Sequence, residues 1–239
     1  MDRHLAWDGC FNTRDLGGLP TASGGLTRRG ALVRSDAVQS LSADGWAALV
    51  DHGVRTVVDL RNDDERGPDT AQRPPEVTTV LVPLDVSEDR EFWDVWENGP
   101  QFGTPLYYRP HLDRFAQRNA EVVAAIATAP PGGVVFHCQG GRDRAGQVAM
   151  LLLALAGVAP DAIADDYALS EERLRAKYAV HGEADQAPAL NGYLADRGTT
   201  ARAAVLDTLA GLDVEAHLTA GGLTGADVAA LRARLLDTP

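Results

Sequence analysis

Cysteine, lysine and long hydrophobic runs are all scarce in this chain. Only Cys10 and Cys138 stand in 239 residues. Two cysteines make no disulfide framework. Neither sits in a CxxC pair or a His/Cys cluster of zinc-site spacing, so no metal and no organic cofactor is expected. Lysine is confined to Lys177 while arginine is abundant, which marks codon usage and not function. The longest apolar run, Val148 to Ala159, is too short to span a bilayer. The opening "MDRHLAWDGC" has no apolar core of signal-peptide length. A basic stripe is missing too: the formal net charge is −12, which argues against general nucleic-acid binding and against docking on an anionic membrane. The expectation is a cytoplasmic protein with no nucleic-acid partner and no integral membrane association; export without a signal of this kind is left open. A local cationic pocket for a small anion remains compatible with the acidic balance.

What is present reads as one α/β domain over residues 1–239. At 45% hydrophobic and 23% charged, the chain has the composition of an ordinary globular domain with a substantial core. "LSADGWAALVDHGV" reads as a helix with Ser42 as N-cap and Gly53 as its stop. "VRTVVDL" is a short β-branched run and reads as a buried strand, and "VTTVLVP" as a second. Between them "RNDDERGPDTAQRPP" is a polar loop. Residues 86–110 mix acids with Phe92, Trp93, Trp96, Phe102, Tyr107 and Tyr108. They form an irregular, partly helical excursion, either a packed surface loop or a lid or recognition wall. "HLDRFAQRNAEVVAAIATA" reads as one amphipathic helix with Leu112, Phe115, Val122, Val123 and Ile126 inward. "GGVVFHC" is a short buried strand, and the helix after Arg144 is apolar nearly all round, hence central. Three more helices follow in 160–180, 200–212 and 224–237. The alternation predicts a largely parallel sheet with helices on both faces and a helical C-terminal third.

The informative stretch is "HCQGGRDRAG", from His137 to Gly146. Five residues separate Cys138 from Arg144. A loop of that length, with Gly140 and Gly141 free to take unusual dihedrals, can turn its N–H groups toward one centre. The following helix presents its positive end to the same centre. The result is a cradle for a phosphate dianion, built by Gln139, Gly140, Gly141 and Arg142 and closed by the Arg144 guanidinium, whose fork matches phosphate. The same field favours a thiolate at Cys138, able to attack phosphorus and form a phosphocysteine. His137 is expected to orient the loop.

These residues resemble the signature of the Cys-based protein tyrosine phosphatases, closest to the atypical bacterial branch whose loop reads HCxxGKDRTG. "NTRDLGG" (Asn12 to Gly18), "GLTRRGALVRSDAVQSLSADGWAALVDHGVRTVVDLRNDDER" and "DYALS" (Asp166 to Ser170) are similar to further segments of that branch, as is the closing "GGLTGADVAALRARLLD". The resemblance implies a tyrosine-phosphatase-like fold and a phosphomonoesterase. Its substrate would be a phosphorylated protein, a phosphorylated small molecule or a lipid headgroup. Three positions depart from the pattern. Ala145 stands where Ser or Thr assists thiolate departure, Arg142 replaces a lysine, and Thr13 replaces a phenylalanine.

The general acid has two candidates. Asp143 matches the aspartate of the branch's loop and is taken first; Asp85 follows the second strand and is taken second. Arg14 and Asp15 are expected to pair with each other near the loop, and Asp59 and Arg61 to support the site from a strand end. Cys10 reads as an apolar side chain, with a Cys10–Cys138 disulfide as its alternative. Two rival functions are a phosphate-binding module of low turnover, suggested by Ala145, and a sulfur- or arsenate-transfer enzyme with a similar anion loop. The sequence leaves the oligomeric state open.

Overall fold

The computed structural model describes residues 3–236. Within them, five strands form one sheet: β1 Arg14–Asp15, β2 Leu32–Ser35, β3 Val54–Asp59, β4 Thr78–Leu81 and β5 Gly133–His137. Their spatial order is β1-β2-β5-β3-β4. β1 runs antiparallel to β2; the other three pairings are parallel. The central strands are apolar on both faces, as a covered parallel sheet requires. Alternate residues divide between two cores. Leu32, Val58, Val134 and Phe136 belong to the larger one, and Val33, Val57 and Val135 to the smaller.

The two faces are covered very unequally. The smaller core is closed by α1 (Ala43–Asp51), whose Trp46 and Leu49 are buried. Ser42 caps this helix by accepting a hydrogen bond from the Gly45 N–H, as its residue type predicts. The larger core is built around α5 (Arg144–Leu155), where Leu151, Leu152 and Leu153 are fully buried. Around α5 pack α4 (Ala116–Ala127), α6 (Pro160–His181), α9 (Val214–Ala220) and α10 (Gly225–Leu235). A helix hydrophobic all round is stable only in such a wrapped position.

Several sequence expectations need correction. The helix expected over 111–129 is two helices, α3 (Tyr108–Arg114) and α4. Phe115 breaks them, with φ −120° and ψ 41°, and its ring turns into a cluster with Phe92 and Trp93. The excursion of 86–110 contains a short helix, α2 (Arg90–Trp96), and a 3₁₀ turn at Pro105–Tyr107. Two helices were not anticipated: α7 (Ala187–Ala195) and α9. The helix between α7 and α9, α8 (Ala201–Ala210), was. The last one ends at Leu235, and Asp237 lies outside the described residues.

Arg14 and Asp15 do not pair. They are neighbours on a strand, so their side chains leave on opposite faces. Asp15 accepts from the Gly17 and Gly30 N–H groups and meets His52 Nε2 at 3.1 Å. Arg14 instead crosses to α6. Its Nε lies 3.2 Å from both oxygens of Asp166, and its Nη2 donates to the Asp166 carbonyl and to Ser170 Oγ. Arg34 Nη1 donates to Asp166 at 2.9 Å and Arg3 Nη1 lies 2.7 Å away. One buried carboxylate thus holds three guanidinium groups. Burial pushes its pKa up, but Arg14, Arg34 and Arg3 outweigh that and carry it well below the usual aspartate range. Burial, with Arg34 adding to it, lowers Arg14 to about 9.

Removing one partner from a buried charge cluster leaves the others uncompensated, at a cost of about 3–5 kcal/mol. Asp166→Asn is therefore expected to lose that much stability at pH 7 in urea unfolding; a loss under about 1 kcal/mol would contradict the role given to Asp166. The pH dependence has a definite sign. A carboxyl whose folded pKa is depressed contributes in full above the unfolded value near about 4, and that contribution is lost as pH falls below it. The native protein should lose stability across that window more steeply than Asp166→Asn does.

Candidate active site

The C-terminal ends of β2, β5 and β3 meet at one edge of the sheet, where parallel α/β folds place their ligands. β5 ends at His137, Cys138 opens a loop, and the loop runs into α5 at Arg144. Cys138 is buried and, like Cys10, a free thiol. The disulfide alternative is therefore absent. Of the two loop glycines, only Gly141 has the left-handed backbone, at φ +67°. A Cβ there would lie 2.6 Å from the Asp36 N and the Ser35 carbonyl carbon, so only glycine allows the loop to lie on the end of β2. Gly140 carries no such requirement; a Cβ there would meet only Leu174 at 3.9 Å.

The loop's carbonyls are fastened from outside, one after another. The Gln139 oxygen accepts from the Ala37 N–H and from Lys177 Nζ. The Gly140 oxygen accepts from Asn12 Nδ2 at 2.9 Å. Arg34 donates to the oxygens of both Gly141 and Arg142, at 2.8 and 2.9 Å. Tyr108 donates to the Asp143 oxygen at 2.7 Å. Each peptide N–H points opposite to the carbonyl before it. With the oxygens drawn outward, the N–H groups after them are turned to the other side. No N–H from Gln139 to Asp143 has a protein acceptor among the described residues. Together with the start of α5, they form an array of donors with no protein partner, facing the side where Cys138 lies.

That side is a cavity of about 700 Å³, lined by Cys138, Gln139, Gly140, Arg142, Asp143, Arg144, Glu65 and Asp85. The charged groups are sorted by their partners. Arg144 donates through Nη1 and Nη2 to the two oxygens of Glu65, both at 2.5 Å. Burial raises the Glu65 pKa, but the bonds from Arg144 win and hold it below the ordinary glutamate value. Asp143 is engaged in the same way by its neighbour: Arg142 donates through Nε at 3.0 Å and through Nη2 at 3.3 Å. It makes no side-chain cap on α5. Asp85 differs from both. Its Oδ2 lies 3.5 Å from Arg144 Nη1, and its buried Oδ1 has no hydrogen-bond partner among the described residues. Burial raises its pKa to about 6, opposed by Arg144 and reinforced by Glu65 and Asp143.

The structure therefore gathers Cys138, Gln139, Gly140, Arg142, Asp143, Arg144 and Asp85 around one cavity, with Gly141 packed behind it on β2. His137 reaches its own neighbour, with Nδ1 3.2 Å from the Cys138 oxygen, and burial lowers its pKa to about 4 against the pull of Asp59. Arg61 forks onto Asp59 and sends Nη1 toward Gln139 Oε1 at 3.4 Å. Asp59 and Arg61 thus brace the loop from β3. Ala145 is wholly buried. Cys10 is buried under Ala37. Glu65, Arg34, Asn12 and Tyr108 were not singled out from the sequence for these roles. The hint for Glu65 was its place in "RNDDER", directly after a strand end. The other three are recognisable only once loop and sheet are in contact.

The walls come from two further segments, one before the loop and one after it. The first gives Trp93, Phe102 and Tyr107, and the second Tyr178, Glu183, Asp185 and Leu190. No helix among the described residues is long and apolar enough to cross a membrane. Nor do three His, Cys, Asp or Glu side chains gather there as a metal site.

Comparison with known proteins agrees with this geometry. A candidate tyrosine-protein phosphatase of Cupriavidus necator is 36% identical over 178 residues, covering 72% of this chain and 64% of its own length. A tyrosine-protein phosphatase of Nostoc commune is 32% identical over 146 residues, 60% of this chain and 49% of its own. A triple-specificity protein phosphatase of Mycobacterium tuberculosis is 29% identical over 203 residues, 71% of each. The chain thus spans less than two thirds of the first two. The profile of the tyrosine phosphatase family matches residues 5–237. On that match, which covers nearly the whole sequence, the chain belongs to the tyrosine phosphatase family.

Proposed function

We propose that this protein hydrolyses phosphate monoesters in two steps through a phosphocysteine on Cys138. The observation that carries this reading is the loop whose carbonyls are all tied outward, leaving a row of free N–H donors beside a cysteine. Those N–H groups and Arg144 donate to the three non-bridging oxygens of the ester. They stabilise the charge on those oxygens most where it builds up, in the transition state. The Cys138 sulfur attacks phosphorus in line and the ester oxygen leaves with a proton. Water then attacks the phosphocysteine, loses its proton to the same acid in its ionised form, and releases phosphate with the thiolate restored.

Asp85 supports the role of proton donor better than Asp143, although the family resemblance ranks Asp143 first. Asp143 is engaged by Nε and Nη2 of Arg142 and is partly exposed. Asp85 is largely but not wholly covered, with a side chain 14% exposed, lies beside Arg144, and is the carboxyl whose pKa is raised to about 6. The substrate reading follows from the walls. Trp93, Phe102, Tyr107 and Tyr178 suit an aromatic ring. The rim acids Glu183 and Asp185, with Arg142 already engaged by Asp143, oppose a headgroup carrying several phosphates. An aryl monoester such as phosphotyrosine in a protein or peptide is the substrate class that fits. A phosphotyrosyl peptide should show a higher kcat/KM than a bisphosphorylated inositol headgroup, and the reverse ranking would refute the assignment.

Cys138→Ser should abolish turnover while leaving phosphate binding in place, because no strong base is present to activate a serine. Steady hydrolysis by this variant would exclude the covalent route. In the wild type, a burst followed by negligible turnover would instead favour the phosphate-binding module. The acid is tested by leaving group. Asp85→Asn should cost about 10²–10⁴-fold on phenyl phosphate or phosphotyrosine and much less on an activated nitrophenyl ester. The sign of the pH effect is fixed: the donor must be protonated, so kcat/KM falls as pH rises through about 6, and Asp85→Asn removes that limb. Asp143→Asn should lower all esters alike. If instead Asp143→Asn removes the limb and shows the leaving-group dependence, Asp143 is the acid.

A further inference from the structure

The unpartnered oxygen of Asp85 points at a second unpartnered atom. His111 Nε2, on α3, lies 3.8 Å from Asp85 Oδ1. Both atoms are buried and neither has a hydrogen-bond partner among the described residues. His111 itself has no exposed surface and sits among the rings of Phe92, Trp93, Tyr107 and Phe115.

The far side of the ring decides which nitrogen carries the proton. Asn119 Nδ2 donates to the Phe115 carbonyl at 2.8 Å. A carbonyl only accepts, so this bond fixes the Asn119 amide with its oxygen turned to Gln147. Gln147 Nε2 lies 2.7 Å from that oxygen, which makes it the donor. The same Nε2 lies 2.9 Å from His111 Nδ1. A nitrogen with only hydrogens to offer requires Nδ1 to accept. A neutral imidazole with Nδ1 accepting carries its proton on Nε2, and burial, which lowers the His111 pKa to about 3, keeps it neutral. The Nε2–H therefore faces Asp85.

We infer that His111 is a positioning residue for Asp85: the Asn119–Gln147–His111 chain presents one fixed N–H to the carboxyl, holding its orientation and favouring its ionised form once the proton has left. This rests on the assignment of Asp85 as the acid. At 3.8 Å the pair lies just beyond hydrogen-bond distance, and among the described residues no other hydrogen-bond partner competes for either atom. The groups facing Asp85 come from every wall of its niche: Arg144 from α5, Glu65 from the 3₁₀ turn after β3, Asp143 from the loop, Tyr107 from the turn before α3, and His111. Arg144 and Glu65 are locked to each other. His111, like Tyr107, is an uncharged donor, so its loss changes hydrogen bonding to Asp85 without changing the charge of the niche. A donor to a carboxylate lowers its pKa. Removing it must raise the pKa and move the basic limb of the kcat/KM profile to higher pH.

The test measures kcat/KM for phenyl phosphate against pH in the full chain, for wild type, Asp85→Asn, His111→Phe and His111→Gln. His111→Phe should shift the basic limb upward by about one pH unit, the size expected for one hydrogen bond to an ionised group. His111→Gln, whose amide nitrogen can stand where Nε2 stood, should return the limb toward its wild-type place. A limb that disappears in Asp85→Asn but stays put in His111→Phe, with activity lowered equally at every pH, overturns the role of His111 alone. A limb that survives Asp85→Asn overturns the acid assignment as well. Where His111→Phe fails to fold, the wild-type protein still decides: ¹⁵N NMR of the imidazole should show the Nε2–H tautomer, and an Nδ1–H tautomer overturns the inference.

Discussion

The contact between Arg34 and Asp166 is the constraint from which the site follows. Arg34 leaves β2, donates to two successive loop carbonyls and anchors its remaining nitrogen on Asp166 of α6. A guanidinium with no exposed surface must be paired. Asp166 supplies the charge and is supplied in turn by Arg14 and Arg3. The loop is thereby clamped between a central strand and a helix that follow one another only distantly in the chain. The direction of the clamp matters more than its strength. Because it takes hold of carbonyl oxygens, it turns the opposite side of each peptide toward Cys138. Gly141 and Gly146 let the partners come this close. A Cβ on Gly146 would lie 2.5 Å from the Tyr108 hydroxyl and 2.8 Å from Arg34 Nη2.

The same pairing logic sorts the carboxyls in the cavity. Around Cys138, three of the cavity's acids, Glu65, Asp85 and Asp143, share two arginines, Arg142 and Arg144. Glu65 takes both terminal nitrogens of Arg144, and Asp143 takes the fork of Arg142. Asp85 is left with a longer contact to a guanidinium already engaged, and with burial on every other side. Its neighbours Glu65 and Asp143 then act on it as negative charges. On the proposed reading, a proton is kept on one carboxyl because the other two have better partners.

The sequence made the layout of residues 136–158 legible because that layout is local. A β-branched run, a loop with glycines and an apolar helix are successive words in the chain, and their order alone places Cys138 at a strand end before a helix start. Ser42 and the central burial of α5 were readable for the same reason. What escaped depends on contacts far apart in sequence. Arg14 was assigned to its neighbour Asp15, yet its partner lies 152 residues on. Strand alternation argued against the neighbour but could not name the partner. The break at Phe115 was hidden because Leu112, Phe115, Val122 and Ile126 keep helical spacing across it, while the aromatic cluster of Phe92 and Trp93 pulls Phe115 out of register. Helix α7 has an apolar, glycine-interrupted sequence with no side-chain cap, so no local start signal was there to read.

On the proposed reading, the division between sheet edge and excursions also separates reaction from selection. Cysteine, arginine and the donor loop sit on elements whose positions are over-determined by core packing. The walls of the cavity belong to residues 93–107 and 178–190, which meet the loop only at its mouth. Changes in those walls can alter what enters without disturbing the carbonyl clamp, which is the usual advantage of carrying recognition on connecting segments. Asp85 belongs to neither group entirely. It follows β4, an edge strand with three exposed positions, yet its carboxyl lies beside Arg144 in the cavity and faces α3, which grows out of the aromatic excursion. The placement of Asp85, the proposed proton donor, is thus tied to the same segment that shapes the cavity wall. Repacking of Trp93 or Tyr107 for a different ring must also move His111 and, through it, the surroundings of Asp85. On the proposed reading, substrate choice and proton transfer are coupled by packing, whereas the phosphate loop is held separately through its carbonyls by Arg34 and Asn12.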